Sequence, residues 1–199
     1  MKITVASSLV AVATIVVFYA FAPSAAEVFN VDTSQSKISW VGQNVAGGKH
    51  TGTIGLSRGA LMVEKGKLTG ASFTADIGSI AVTDLTGGRA TRLEDHLKNE
   101  DFFDAKQFPE ATFGVTKVRG SDNDVTITGE LTIKGITRSI TFPAEVHQVG
   151  STLHATAKGV KINRTQFDIK YRSGNFFSGL GDRAILDEFE LDIELVATK

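Results

Sequence analysis

The chain has 199 residues, 21 of them Lys or Arg and 22 Asp or Glu, for a net charge of −1. That balance excludes the clustered basic excess that nucleic-acid binding calls for, and the absence of Cys excludes disulfides and lipid attachment through sulfur. A core of apolar side chains must therefore hold the fold unaided, and the length suits one domain.

Lys2 is the only charge ahead of an apolar run from Ile3 to Ala22, and Pro23, Ser24, Ala25 and Ala26 follow. A positive start, an apolar middle and a small-x-small ending predict a secretory signal peptide over 1–26, cut after Ala26. The run is also long enough to remain as an uncleaved anchor. Export without cysteine points to a bacterial periplasm, with residues 27–199 as the mature domain.

From Ser36 onward apolar residues recur with period two. Ile38 and Trp40 alternate with Lys37 and Ser39, and Phe73, Ala75 and Ile77 with Ser72, Thr74 and Asp76. About eight such runs are joined by turn signals at Lys65-Gly66, Lys134-Gly135 and Gly150-Ser151. The fold class is all-β, a single antiparallel barrel. Two local strings mimic other chemistries. Gly47-Gly48-Lys49-His50 lacks phosphate-loop spacing and reads as a turn. Gly55-Leu56-Ser57-Arg58-Gly59 matches a nucleophile elbow, which would make Ser57 an esterase serine, but the extended apolar run after it favours a glycine-relieved barrel strand.

The alternation breaks between residues 83 and 106. Leu93 and Leu97 make one short apolar stripe, and Asn99 or Asp101 can cap a further turn carrying Phe102 and Phe103. The spacing predicts two short helical turns. Phe108 follows, Pro109 ends the segment, and a strand resumes through Phe113.

Ile127, Leu131 and Ile133 share a face with Ile136, Ile140 and Phe142 across the Lys134-Gly135 turn. Arg138 falls on that inward side, either to bind the phosphate or carboxylate of an amphiphile or to snorkel to water. With Gly150-Ser151 as a two-residue turn, Gln148 opposes Leu153, Val146 opposes Ala155, Ala144 opposes Ala157 and Phe142 opposes Gly159. His147 and His154 then face each other outside, a polar pair lacking a third metal ligand. The inner face of this hairpin is apolar but small. A solid core would want bulk there, so Ala155 and Ala157 predict space inside a barrel already near ligand-holding size.

Phe167 precedes a Gly-rich loop, Ser173 to Asp182, whose adjacent Phe176 and Phe177 need cover and predict a mobile lid. The last strand alternates Phe189, Leu191, Ile193 and Leu195 with acidic residues.

Three strings, DHLKNEDFFDAKQFPEATF, LTIKGITRSITFPAEV and FDIKYRSGNFFSGLGDRAILDEFELDIELVA, resemble the YceI-like family. The similarity runs from about Phe29 to the C-terminus. It implies an exported bacterial lipocalin-like barrel of eight strands that binds a polyisoprenoid or other lipid. Asp168 stands where family members often carry Gly.

The function expected is a non-enzymatic carrier or store for an amphipathic isoprenoid or fatty-acyl lipid. Trp40, Phe73, Phe102, Phe103, Phe108, Phe142, Ala155, Ala157, Phe167, Phe176 and Phe177 are the candidate tunnel residues, with Arg138 at the head group. No cofactor and no nucleic acid are expected. Membrane proximity and a homodimer are both compatible with this picture. The alternatives are the Ser57 esterase and a ligand-free, stress-related barrel that binds a partner.

Overall fold

The computed structural model describes residues 26–121 and 123–199. The expected leader therefore lies, except for Ala26, outside the described residues. Nine strands follow in chain order: β1 (Glu27–Val31), β2 (Lys37–Gln43), β3 (Lys49–Glu64), β4 (Lys67–Val82), β5 (Glu110–Ser121), β6 (Asp124–Ile133), β7 (Ile136–Val149), β8 (Thr152–Asn163) and β9 (Glu188–Thr198), with helix α1 (Gly88–Lys98) between β4 and β5. All pairings are antiparallel, and the β3–β4 ladder closes the sheet into a barrel.

The barrel has eight staves because β1 and β2 share one. β1 pairs with Ala60–Val63 of β3 and with the end of β9, while β2 pairs with Lys49–Ile54 and with Glu190–Glu194. Between them the Asp32 carboxylate accepts from Ser34 N–H and Oγ and from Gln35 Nε2, which turns the chain without leaving the wall. The eight-stranded expectation holds.

Lys65-Gly66 and Lys134-Gly135 are tight turns with φ of 50° and 76°, and of 49° and 72°. Consecutive positive φ is what a type I′ hairpin asks for. The Gly150 hairpin runs in the expected register from Val149↔Thr152 to Glu145↔Thr156, with Val146 on Ala155 and His147 on His154. The ladder stops there, so the extrapolated Ala144–Ala157 and Phe142–Gly159 pairs are not made. Pro143 has no N–H to donate, and β8 bulges against β9 between Ala157 and Val160, with Gly159 at φ 60°.

The two ends of the barrel differ. At one end the staves are joined by tight turns around 65–66 and 150–151. At the other end lie the 44–48 turn, the α1 excursion and the 164–187 segment. Phe29, Val63, Leu153 and Ala197, none more than 2% exposed, plug the tight-turn end. Phe102, Ile162, Phe167 and Ile169 cluster beneath the long connections.

The helix corrects the expectation of two short turns: α1 is one helix of 11 residues. Its first half, Gly88-Arg89-Ala90-Thr91-Arg92, has no apolar stripe to betray it. The second turn is where the sequence put it, with Asn99 Oδ1 accepting from Asp101 N–H at 2.9 Å and Phe102 N–H bonded to the Asn99 carbonyl.

Candidate functional site: an apolar channel inside the barrel

A cavity of about 240 Å³ runs through the barrel. Its lining on β9 alone extends from Glu188 to Leu195, about 23 Å of strand at ~3.3 Å per residue. A modest volume over that length makes a narrow channel, a shape for a chain rather than a ring. It stops short of the Phe29–Val63–Leu153–Ala197 plug, none of which lines it. Gln43, Leu186 and Glu188 line its other end, and Leu186 is 39% exposed. That end is the mouth.

Glycine and alanine keep the lumen open. Trp40 lies flat on Gly52 of the neighbouring strand, where a Cβ would overlap both its ring and the Ala81 carbonyl. The indole N–H donates to the Thr53 carbonyl at 3.3 Å, so its one polar atom is satisfied by the wall. Phe113 covers Gly129 in the same way and stands between Phe73 and Phe142, at 6.5 Å and 5.6 Å between ring centroids. Ala144, Ala155 and Ala157 supply the small face opposite. Phe102, Phe103 and Leu97 project into the channel from α1 and the turn behind it.

Of the candidate tunnel residues, Trp40, Phe73, Phe102, Phe103, Phe142, Ala155 and Ala157 line this one channel. Four others do not. Phe108 packs on the β6–β7 turn, within 3.3 Å of where a Gly135 Cβ would be. Phe167 is 1% exposed in the core beneath the long connections. Phe176 and Phe177 are half exposed on the loop beside the mouth, with Lys170 Nζ over the Phe176 ring. Arg138 has the inward parity, opposite the lining residue Leu131, but is exposed and folds back to donate to the Thr137 carbonyl. Ser57 sits at a bulge in β3 and donates to the Thr74 carbonyl, on extended strand rather than a strand-to-helix turn. Among the described residues no group of three His, Cys, Asp or Glu side chains could hold a metal.

The residue that sequence reasoning missed is Arg164. It lines the mouth end yet is 3% exposed. Its Nε, Nη1 and Nη2 donate to the carbonyls of Leu186, Ile169 and Ile185 at 2.8–3.0 Å, and Asp187 lies 3.6 Å away. Burial pushes its pKa below the usual arginine value, against the pull of Asp187. The guanidinium is thus committed to tying both ends of the 164–187 segment together. Its only signal was an arginine directly after the last residue of an alternating strand. Asp168 closes the same turn in left-handed backbone, φ 60°. That is a glycine-favouring conformation which Asp tolerates, so the replacement leaves the turn in place.

A family model described as a YceI-like domain matches residues 29–197. Over 68 residues the chain is 35% identical to Protein YceI of Escherichia coli, covering 34% of this chain and 35% of that one. Over 122 residues it is 28% identical to a UPF0312 protein of Photorhabdus laumondii, covering 61% and 62%. The matches thus span less than two thirds of these relatives' length. Among solved structures, Burkholderia cenocepacia BcnA superposes with a TM-score of 0.64 at 27% identity, over 84% of this chain and 99% of that one. A polyisoprenoid binding domain from Saccharophagus degradans gives a TM-score of 0.64 at 13% identity, over 85% and 97%, a likeness of fold.

Proposed function

The chain belongs to the YceI-like domain family, and from that premise we propose that it carries or stores a single amphipathic long-chain lipid, isoprenoid or fatty-acyl, with the tail in the channel. The observation that carries this reading is the continuous apolar lining from Leu195 to the mouth. Removing a long tail from water contributes about 25 cal/mol per Å² of apolar surface, so affinity needs no directed polar bonds. The polyisoprenoid named for the Saccharophagus domain is in keeping with a long, narrow lumen. The role is binding rather than catalysis, a reading supported by the position of Ser57 on the barrel wall. A fluorophosphonate that labelled Ser57 would oppose it.

Trp40 is the chain's one tryptophan and lines the channel. Titration with a long-chain polyprenol should therefore shift its emission and saturate at a single equivalent. Unchanged emission in the presence of a lipid that demonstrably binds would place the ligand outside the barrel. The leader-like start of the chain supports a periplasmic setting. N-terminal sequencing of protein from the periplasmic fraction should begin at Glu27.

A further inference from the structure

Among the described residues seven large apolar side chains are markedly exposed, and four of them, Val45, Phe176, Phe177 and Leu186, belong to the rim of the channel mouth. The other three, Val28, Met62 and Val149, sit toward the opposite, tight-turn end. The rim is stitched into one surface. Val45 N–H donates to the Ala184 carbonyl and Leu186 N–H to the Gln43 carbonyl, which ties the 44–48 turn to the end of the long connection. Phe176 and Phe177 N–H both donate to the Ser173 carbonyl, and the next residue, Gly174, packs toward Ala184, whose Cβ is 4.0 Å from where a Gly174 Cβ would be. Leu186 also lines the channel, so the apolar surface outside runs into the apolar lining inside.

The polar frame of this rim leans positive. Lys170 pairs with Asp168 at 2.6 Å while lying over the Phe176 ring, Asp187 accepts from Asn175 beside Arg164, and Glu188 lies 3.9 Å from Lys161. Among the described residues Lys49, Arg172 and Arg183 form no ion pair, and Asp182 is the one acid of residues 170–187 without a partner. In water, two adjacent half-exposed rings gain cover only from a ligand or from closure of their loop. A contiguous apolar patch framed by charge marks a surface that meets something else, and here the cations name its chemistry as anionic.

We propose that the rim is a docking surface for an anionic lipid bilayer, on which the barrel sits mouth-down. Val45, Phe176, Phe177 and Leu186 enter the interface, while Lys49, Arg172 and Arg183 meet the charged surface of the bilayer. The use of this surface rests on the lipid-binding reading above: a tail passes between bilayer and channel without exposing its methylenes to water. A folded protein seated on the same rim would cap the mouth, whereas a bilayer both covers the rings and supplies the ligand.

Co-sedimentation of the full protein with vesicles of phosphatidylethanolamine and phosphatidylglycerol, against vesicles of phosphatidylcholine alone, tests this. Wild type should partition onto the anionic vesicles, and Phe176→Ser/Phe177→Ser should lower that partitioning about tenfold or more. Arg172→Gln/Arg183→Gln should lower it about tenfold and weaken its salt dependence. Val28→Ser/Val149→Ser, at the far end, should change it by about twofold at most. All these side chains are exposed, so the variants keep the fold, which circular dichroism checks. With polyprenol in the anionic vesicles, loading followed by Trp40 emission should slow in Arg172→Gln/Arg183→Gln and reach the same end point. Wild type left in the supernatant, or rim variants that partition like wild type, overturns the proposal. If the rim changes instead abolish a dimer seen by analytical ultracentrifugation and no vesicle binds, the rim joins two copies and the proposal is wrong. If vesicles bind through the rim but Trp40 never responds to polyprenol, the docking surface stands and the channel reading fails.

Discussion

Ala155 and Ala157 face the lumen where a filled barrel would carry larger side chains, and both line the channel. Leu at both positions should fill part of that space. Inserting methylenes into a packed core costs about 1–3 kcal/mol, whereas here the loss of stability should fall below ~1 kcal/mol while lipid affinity drops. Urea denaturation paired with a binding titration reads both quantities, and strong destabilisation with binding intact would show these positions to be ordinary core. Arg164 makes the opposite case. Replacing it with Met leaves three carbonyls without their donor and Asp187 without its counter-charge, and breaking a buried charged pair costs about 3–5 kcal/mol. The same denaturation measurement checks it, with Arg138→Met, exposed and bonded only to its neighbour's carbonyl, expected to change little. The alanines were legible because a two-residue turn fixes strand register and register fixes the inner face. Arg164 was not, because its partners are backbone carbonyls of residues 169, 185 and 186, and no side-chain pattern announces a carbonyl cage.

At the scale of elements, the loop Ser173 to Asp182 sits beside the mouth, held by Asn175 Nδ2 on Asp187 and by Phe176 and Phe177 N–H groups on the Ser173 carbonyl. Two half-exposed rings there gain cover only from a ligand or from closure. Hydrogen exchange in this loop should slow on lipid loading far more than in β9, and equal protection in both states would remove the lid assignment. The connection from β4 to α1, tied to β3 through Asp84, is expected to respond to pH. Burial acts to raise the Asp84 carboxyl, but hydrogen bonds from Thr51 and His50 outweigh it and hold the pKa below the ordinary 3.8. A depressed carboxylate contributes stability above its unfolded value and loses it as pH falls through the folded one. The amide signals of Thr51 and α1 should therefore move as pH drops below about 4. In Asp84→Asn they should already be displaced at neutral pH and cease to respond. The strands and their turns were readable from alternation and from Lys-Gly and Gly-Ser pairs. The extent of α1 was not, because Gly88 to Arg92 carries arginines and threonine with no apolar face, and its place is set by packing against β4.

For the whole molecule, the decisive asymmetry is between a floor of fully buried side chains and a mouth made of long connections. The β3–β4 ladder joins the two ends of the sheet into a barrel, and the two-part β1–β2 stave reconciles nine strands with an eight-stave wall. The alternating pattern and the family resemblance both pointed to this barrel. Which aromatics face the lumen was only partly foreseeable. Phe108, Phe167, Phe176 and Phe177 belong to connections, where side-chain direction follows from loop geometry rather than from a period of two. The central claim is that the lumen holds a lipid tail, and native mass spectrometry of the gently purified protein addresses it most directly. The account predicts a complex with a single long-chain lipid for wild type and the ligand-free mass for Ala155→Leu/Ala157→Leu. A lipid adduct retained unchanged by that folded variant, or its absence from wild type even after loading with a long-chain polyprenol, would contradict it.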